Sequence, residues 1–155
     1  MRVTGAIVVK KGKMTLIPWD KDIEQNHKIK NQTILASGPL MLNKGQSCNF
    51  TSCSEKFITT KHPRTAIATT RDKRIIMVTV DGRFPGKAEG INIPELTHLL
   101  RVLGGEYALN LDGGGSTTMW HQKASENGVV NRPYDNKIFD NYGERKVANI
   151  VYIYK

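Results

Sequence analysis

Hydrophobic positions fall in short alternating runs along most of the chain, and a single stretch has helical spacing. Residues 6–9 and 14–19 flank the polar KKGK, which predicts a hairpin turning at Gly12. Residues 20–32 are polar and charged and predict an exposed connection. Strand character returns over residues 33–42 around a Ser-Gly-Pro break. Residues 43–55 then predict a loop holding both cysteines, Cys48 and Cys53.

Residues 65–70 and 75–80, separated by RDKR, predict a second hairpin. Its second strand, IIMVTV, is apolar on both faces, which predicts a central position in a sheet. The helical stretch follows a Gly- and Pro-containing loop at 81–90. Asn92 or Ile93 can cap it, Pro94 sits in its first turn, and Leu96, Leu99, Leu100 and Leu103 keep the i, i+3, i+4, i+7 stripe. Gly104 and Gly105 suit a left-handed C-terminal cap. Further strands are expected at 107–112, 117–121, 129–131 and 147–154, with a turn at 125–128. The fold class is therefore α+β: a mixed, strand-rich sheet with one clear β-α-β unit and few helices. The unit's two strands should run parallel with a right-handed crossover, so that Asp81 and Asp112 leave the sheet at one carboxyl edge, where open α/β sheets bind ligands.

The chain has 155 residues, 39% of them hydrophobic and 24% charged, which suits a single domain over 1–155 and excludes intrinsic disorder. No run approaches the ~18 apolar residues of a transmembrane helix. The N-terminus enters a strand pattern directly, without the apolar region of a signal peptide. A cytoplasmic protein and a chain missing its start both fit. With 23 Lys plus Arg against 14 Asp plus Glu the formal net charge is +9, and an anionic, phosphate-bearing partner is expected. The basic residues Lys10, Lys11, Lys13, Lys28, Lys30, Arg71, Lys73 and Arg74 are scattered and not interleaved with aromatics, so nucleic acid is not the favoured partner. Cys48 and Cys53 have no second Cys pair to complete a zinc site; a local disulfide and two free thiols fit equally.

The densest polar run is LNLDGGGSTTMWHQ. Three successive glycines after a buried strand cost roughly 0.5–1 kcal/mol each relative to Ala, so they call for a reason. Amides from Gly113, Gly114, Gly115 and Ser116 could form an anion-binding nest, with hydroxyls of Ser116, Thr117 and Thr118 adding donors. A tight turn between strands is the plainer alternative; Asn110 and Asp112 alongside favour a site. The run lacks GxxxxGK[ST], opens no apolar helix and lacks GxSxG, which removes a P-loop, a dinucleotide fingerprint and a nucleophile elbow. Arg64, Arg83 and Arg145 are phosphate-clamp candidates, although Asp81 with Arg83 and Glu144 with Arg145 could equally be ion pairs. His62 is a possible proton carrier. Tyr134 and Trp120 could stack on a sugar, with core packing the commoner use. An Asp- and Asn-rich edge offers oxygen ligands to Ca²⁺ or Mg²⁺, but no spacing demands a metal, and no cofactor is indicated.

Taken together, HPRTAIATTRDKRIIMVTVDGR, IPELTHLLRVLGG, ALNLDGGGSTTMW, VVNRPYD and GERKVANIVYI resemble the phosphodiester glycosidase family over about residues 61–154, most closely its bacterial, Bacteroides-type members. The resemblance implies hydrolysis of the bond between a sugar's anomeric carbon and a phosphodiester. It implies active-site roles for Arg64, Asp81, Arg83, Asn110, Asp112, Ser116, Asn131, Arg132, Glu144 and Arg145. Asp81, Asp112 and Glu144 are then the catalytic carboxylates. The arginines, the glycine-run amides, Thr117, Asn131 and Arg132 would hold substrate and phosphate. The partner would be a phosphorylated glycan, small or polymeric. A module that binds such glycans without cleaving them is the alternative. Family members usually carry an upstream Asn-Gly-x-(Phe/Tyr)-Phe motif, which residues 1–57 do not contain. The resemblance thus implies a domain lacking its N-terminal strands, and a full-length protein that is exported, periplasmic or extracellular.

Overall fold

The computed structural model describes residues 3–28, 30–124 and 127–154. Strands β1 (Gly5–Lys10) and β2 (Lys13–Pro18) form the first expected hairpin, with Lys10 opposite Lys13. The two turn residues, Lys11 and Gly12, both have positive φ (49° and 72°), as a two-residue turn that follows strand twist requires. The polar connection after β2 is not all loop. Asp20 accepts the Ile23 amide at 2.8 Å and starts the short helix α1 (Lys21–Asn26). Strand β3 (Thr33–Ser37) then pairs with the other edge of β1, giving an antiparallel sheet in the order β2-β1-β3.

Beyond the Gly38-Pro39 break come β4 (Leu40–Asn43), the two-residue β5 (Gln46–Ser47) and, capped by Ser54, helix α2 (Glu55–Thr59). The stretch expected to be loop therefore contains β5 and overlaps the end of β4 and the start of α2. Cys48 and Cys53 are free thiols, and burial raises the pKa of Cys48.

The second hairpin is β6 (Arg64–Thr70) and β7 (Ile75–Val80). Helix α3 (Ile93–Val102) carries the expected caps: Asn92 and Glu95 exchange hydrogen bonds as a capping box, Pro94 lies in the first turn, and Gly104 follows at φ 89°. Strand β8 (Gly105–Asn110) completes a five-stranded sheet ordered β5-β4-β8-β6-β7, in which all neighbours are antiparallel. β7 and β8 consequently run in the same direction with β6 between them. The β-α-β unit is split by an inserted strand, and Asp81 and Asp112 still leave at one edge.

β7 is an edge strand, not a central one. Ile76, Val78 and Val80 pack on the core while Ile75 and Met77 are more than a third exposed. Apolar residues on both faces of a strand do not report whether both of its hydrogen-bonding edges are paired. The central strands are β6 and β8. On one face Ile67 and Leu109 join Ile7, Leu16 and Leu40 beneath the three-stranded sheet. On the other face Ala66, Ala68 and Ala108 let α3 approach closely with Ile93, Leu96 and Leu100. Each fully buried leucine stabilises this arrangement by about 1.5–3 kcal/mol.

After β8 regular structure thins out. Gly114–Ser116 form one 3₁₀ turn, and the strands expected at 117–121 and 129–131 contribute a single bridge between Trp120 and Val129. The expected turn at 125–128 falls partly outside the described residues. Residues 147–154 are not a strand: Ile150, Tyr152, Ile153 and Tyr154 are each at least 66% exposed, and Val151 alone of this group touches the core.

Candidate functional site

Antiparallel pairing of β6 with β7 and β8 brings the start of β6 to the edge where β7 and β8 end. Arg64 is in register with Val80, and Ala66 with Asn110. Residues 62–64, 81–84 and 111–117 therefore meet at this edge, and residues 131–145 fold over it.

Asp81 is anchored there through one carboxylate oxygen. Its Oδ1 accepts the Asn131 side-chain amide at 2.9 Å and the Arg132 backbone amide at 3.0 Å. Asn131, only 7% exposed, also donates to the Thr117 carbonyl (3.0 Å) and accepts from the Met119 amide (2.8 Å). This carboxylate and this amide thus stitch the end of β7 to the covering segment. Edge-to-face contacts of Phe84 with Tyr134 (5.2 Å) and Phe139 (5.0 Å) add an apolar hinge beside them. Tyr134 is accordingly half-buried against Phe84. Trp120 is not: it is 62% exposed, with its indole N–H on the Asn127 carbonyl.

The glycine run is built around close approaches by the protein itself. The Gly114 amide donates to the Pro63 carbonyl at 2.8 Å, and a Cβ on Gly113 would lie 2.8 Å from that same oxygen. Gly114 has φ 62°, and a Cβ there would lie 3.0 Å from Arg83 Nη2. On Gly115 a Cβ would overlap both Asp135 Oδ1 and Arg145 Nη2. The Gly113 amide donates to Asp112 Oδ1 (3.0 Å) and the Ser116 amide to the Gly113 carbonyl (3.2 Å). With the amides of Gly113, Gly114 and Ser116 used internally, the run is a platform for side chains more than the amide nest expected of it.

Arg83, Arg145, Asp112 and Asp135 gather on that platform. Arg145 makes a two-pronged pair with Asp135, Nε to Oδ2 and Nη2 to Oδ1, both at 2.7 Å. The pair holds the Asp135 carboxyl below its usual range, first through the hydrogen bond and then through the Arg145 and Arg83 charges. It raises the Arg145 pKa, with Asp112 adding to the effect. Arg83 lies over the Tyr134 ring at 5.4 Å. Asp112 is exposed at the mouth of this cluster. Its polar, two-sign character is what recognition of a phosphate next to an electron-poor carbon requires.

The other expected residues lie at or near the same edge, most of them with their polar groups engaged by the protein itself. Arg64, 3% exposed, donates to the carbonyls of Phe57 (2.7 Å), Thr60 (3.2 Å) and Ile91 (3.3 Å) and lies over Phe57, so it fastens α2 to the sheet. Burial, then Arg83, lowers its pKa. Asn110 is buried and donates to the carbonyls of Gly38 and Leu111. Thr117 is buried with its hydroxyl 3.4 Å from that of Thr65. Ser116 is half-buried, and Glu144 is exposed with Oε1 3.3 Å from the Asn127 amide. Arg132 lies over Phe139 and donates to the Asn131 carbonyl. His62 has a buried, unpartnered Nδ1; burial, then Arg64, Arg83 and Lys56, lowers its pKa. The residue that reading the sequence missed is Asp135, although it lies inside VVNRPYD; only the fold reveals that its partner is ten residues away. Among the described residues no three His, Cys, Asp or Glu side chains converge as a metal site, and no helix is long and apolar enough to cross a membrane.

Comparison with known proteins matches the family model described as phosphodiester glycosidase to residues 2–154. An N-acetylglucosamine-1-phosphodiester alpha-N-acetylglucosaminidase of Mus musculus is 30% identical over 90 residues, covering 55% of this chain and 17% of the mouse protein. Among solved structures, the zebrafish N-acetylglucosamine-1-phosphodiester alpha-N-acetylglucosaminidase catalytic domain, auto-inhibited by its pro-peptide, superposes with a TM-score of 0.66 at 20% identity. That match covers 86% of this chain and 46% of the zebrafish chain. A Burkholderia pseudomallei protein assigned as exported gives 0.55 at 24% identity, over 73% of this chain and 24% of its own. The last two likenesses concern the fold. The chain spans less than half the length of each of these relatives.

Proposed function

The chain belongs to the phosphodiester glycosidase family, and from that premise we propose that it takes part in hydrolysing the glycosidic bond of a sugar-1-phosphodiester. The observation that carries this reading is the cluster of Arg83, Arg145 and the exposed Asp112 around the Gly113–Gly115 platform. In such a reaction the anomeric C–O bond breaks, its electron pair stays with the phosphate oxygen, and water supplies the new hydroxyl on the sugar. The phosphodiester starts with one negative charge and leaves as a monoester carrying roughly −1.5 to −2. Arginines beside it therefore bind the transition state more strongly than the ground state, which is the condition for raising kcat. Asp112 is assigned to the anomeric centre, supporting its cationic character or accepting the proton of the attacking water. Asp81, held by Asn131 and the Arg132 amide, is assigned to positioning the covering segment. Arg64 and Asn110 support the scaffold in the same sense, and Glu144 stands at the rim.

The substrate class is a phosphorylated glycan, and the full-length protein is assigned to the periplasm or the cell exterior. A defined N-acetylglucosamine-1-phosphodiester tests the reaction. Release of free sugar together with an intact phosphate monoester is expected, and release of sugar 1-phosphate would mean a phosphodiesterase instead. Binding without any turnover would leave a glycan-binding module. Asp112→Ala should abolish release; unchanged turnover would remove Asp112 from the site.

A further inference from the structure

We infer that Asp135 is a positioning residue that presets Arg145 for the substrate phosphate, a role that rests on the reading of the site given above. A guanidinium binds phosphate well when its plane is fixed beforehand, because less rotamer freedom is lost on binding. Arg145 lies on a segment without helix or strand, so the backbone alone does not fix its fork. The carboxylate does: it takes Nε and Nη2 at 2.7 Å each. Gly115 is the other half of the device. A Cβ there would overlap both members of the pair, so the missing side chain lets Asp135 and Arg145 lie against the turn that follows Asp112. Asp135 is itself tied down, its amide donating to the Gly143 carbonyl at 3.2 Å, two residues before Arg145. The Arg83 charge also acts on Asp135.

A carboxylate paired with a phosphate-binding arginine can act in the opposite sense, by competing with phosphate for the fork. The two roles differ in sign. Inorganic phosphate binding, read by calorimetry on the same chain, separates them without needing turnover. If Asp135 positions Arg145, Asp135→Asn weakens phosphate binding about tenfold or more, the size of a lost charge-assisted hydrogen bond. Asp135→Glu, which keeps the charge, recovers part of the loss. In an Arg145→Lys background Asp135→Asn changes little further, because its effect passes through the guanidinium. Tighter phosphate binding by Asp135→Asn would overturn the assignment, as would an equal loss in the Arg145→Lys background or no phosphate binding by the unsubstituted chain. Should Asp135→Asn fail to fold, Asp135→Glu is compared directly with the unsubstituted chain, and unaltered phosphate affinity would overturn the role. A chain that binds phosphate with this dependence yet cleaves no sugar-1-phosphodiester would keep the positioning role and remove the proposed reaction.

Discussion

The turn of the first hairpin and the glycine run at the sheet edge use the same residue for different reasons. Gly12 sits at φ 72° with nothing within 4 Å of where a Cβ would be. It is needed for its conformation. Gly113 and Gly115 have no positive φ, and at each a Cβ would run into the protein's own groups, the Pro63 carbonyl or the Asp135–Arg145 pair. They are needed for room. Within the run, Gly114 combines both needs, with φ 62° and Arg83 against it. A glycine thus marks a site only when the space it vacates is claimed by functional groups.

Substitutions break this comparison in order of size. Asp112→Asn keeps the platform and removes the exposed carboxylate, so a fall in kcat on the order of 10²–10⁴ is expected with an unchanged unfolding midpoint. Gly115→Ala keeps every charged group but pushes the ion pair off the turn. It should lower kcat/KM by about 10²-fold, the usual cost of a misplacement near 1 Å, and lower the unfolding midpoint as well. Gly12→Ala should cost only about 1–2 kcal/mol of stability, the price of a left-handed residue, and leave kcat/KM intact; denaturant titration and initial rates check both. The smallest effect concerns pH. Because the folded state depresses the Asp135 pKa below its ordinary 3.8, the pair's stabilisation is present above that value. It is lost as pH falls through the lower, folded-state pKa. A midpoint that does not fall below about pH 4, where unfolded carboxylates begin to protonate, would mean the exposed pair is screened into irrelevance.

Local signals were legible and long-range ones were not. Helix α3 could be read in full because its stripe, its Pro and its flanking glycines all lie within fourteen residues. The exit of Asp81 and Asp112 at one edge also followed from strand order. The edge placement of β7 did not, since hydrophobicity does not encode which strand pairs beside it. Nor did the absence of strand over residues 147–154, whose apolar composition reads as strand. In the site, Arg64 had the right type and the right neighbours, yet tertiary contacts turn it onto three backbone carbonyls. Asp135 carried no local mark because its meaning lies in Arg145 and in the missing side chain of Gly115.

The wall formed by residues 131–145 is held by side chains: Asn131 on Asp81, Asn141 on the Val129 carbonyl, Arg145 on Asp135, and the rings of Tyr134 and Phe139 on Phe84. No strand ladder ties it to the sheet. In hydrogen-exchange terms the two parts should behave as separate cooperative units, amides of the wall exchanging through local opening while those of β6 and β8 wait for global unfolding. Loss of ligand affinity on warming would then precede loss of the fold, and a bound phosphate, by bridging Arg83 and Arg145, would slow exchange in the wall first. Equal protection across wall and sheet would show instead that the wall melts only with the whole.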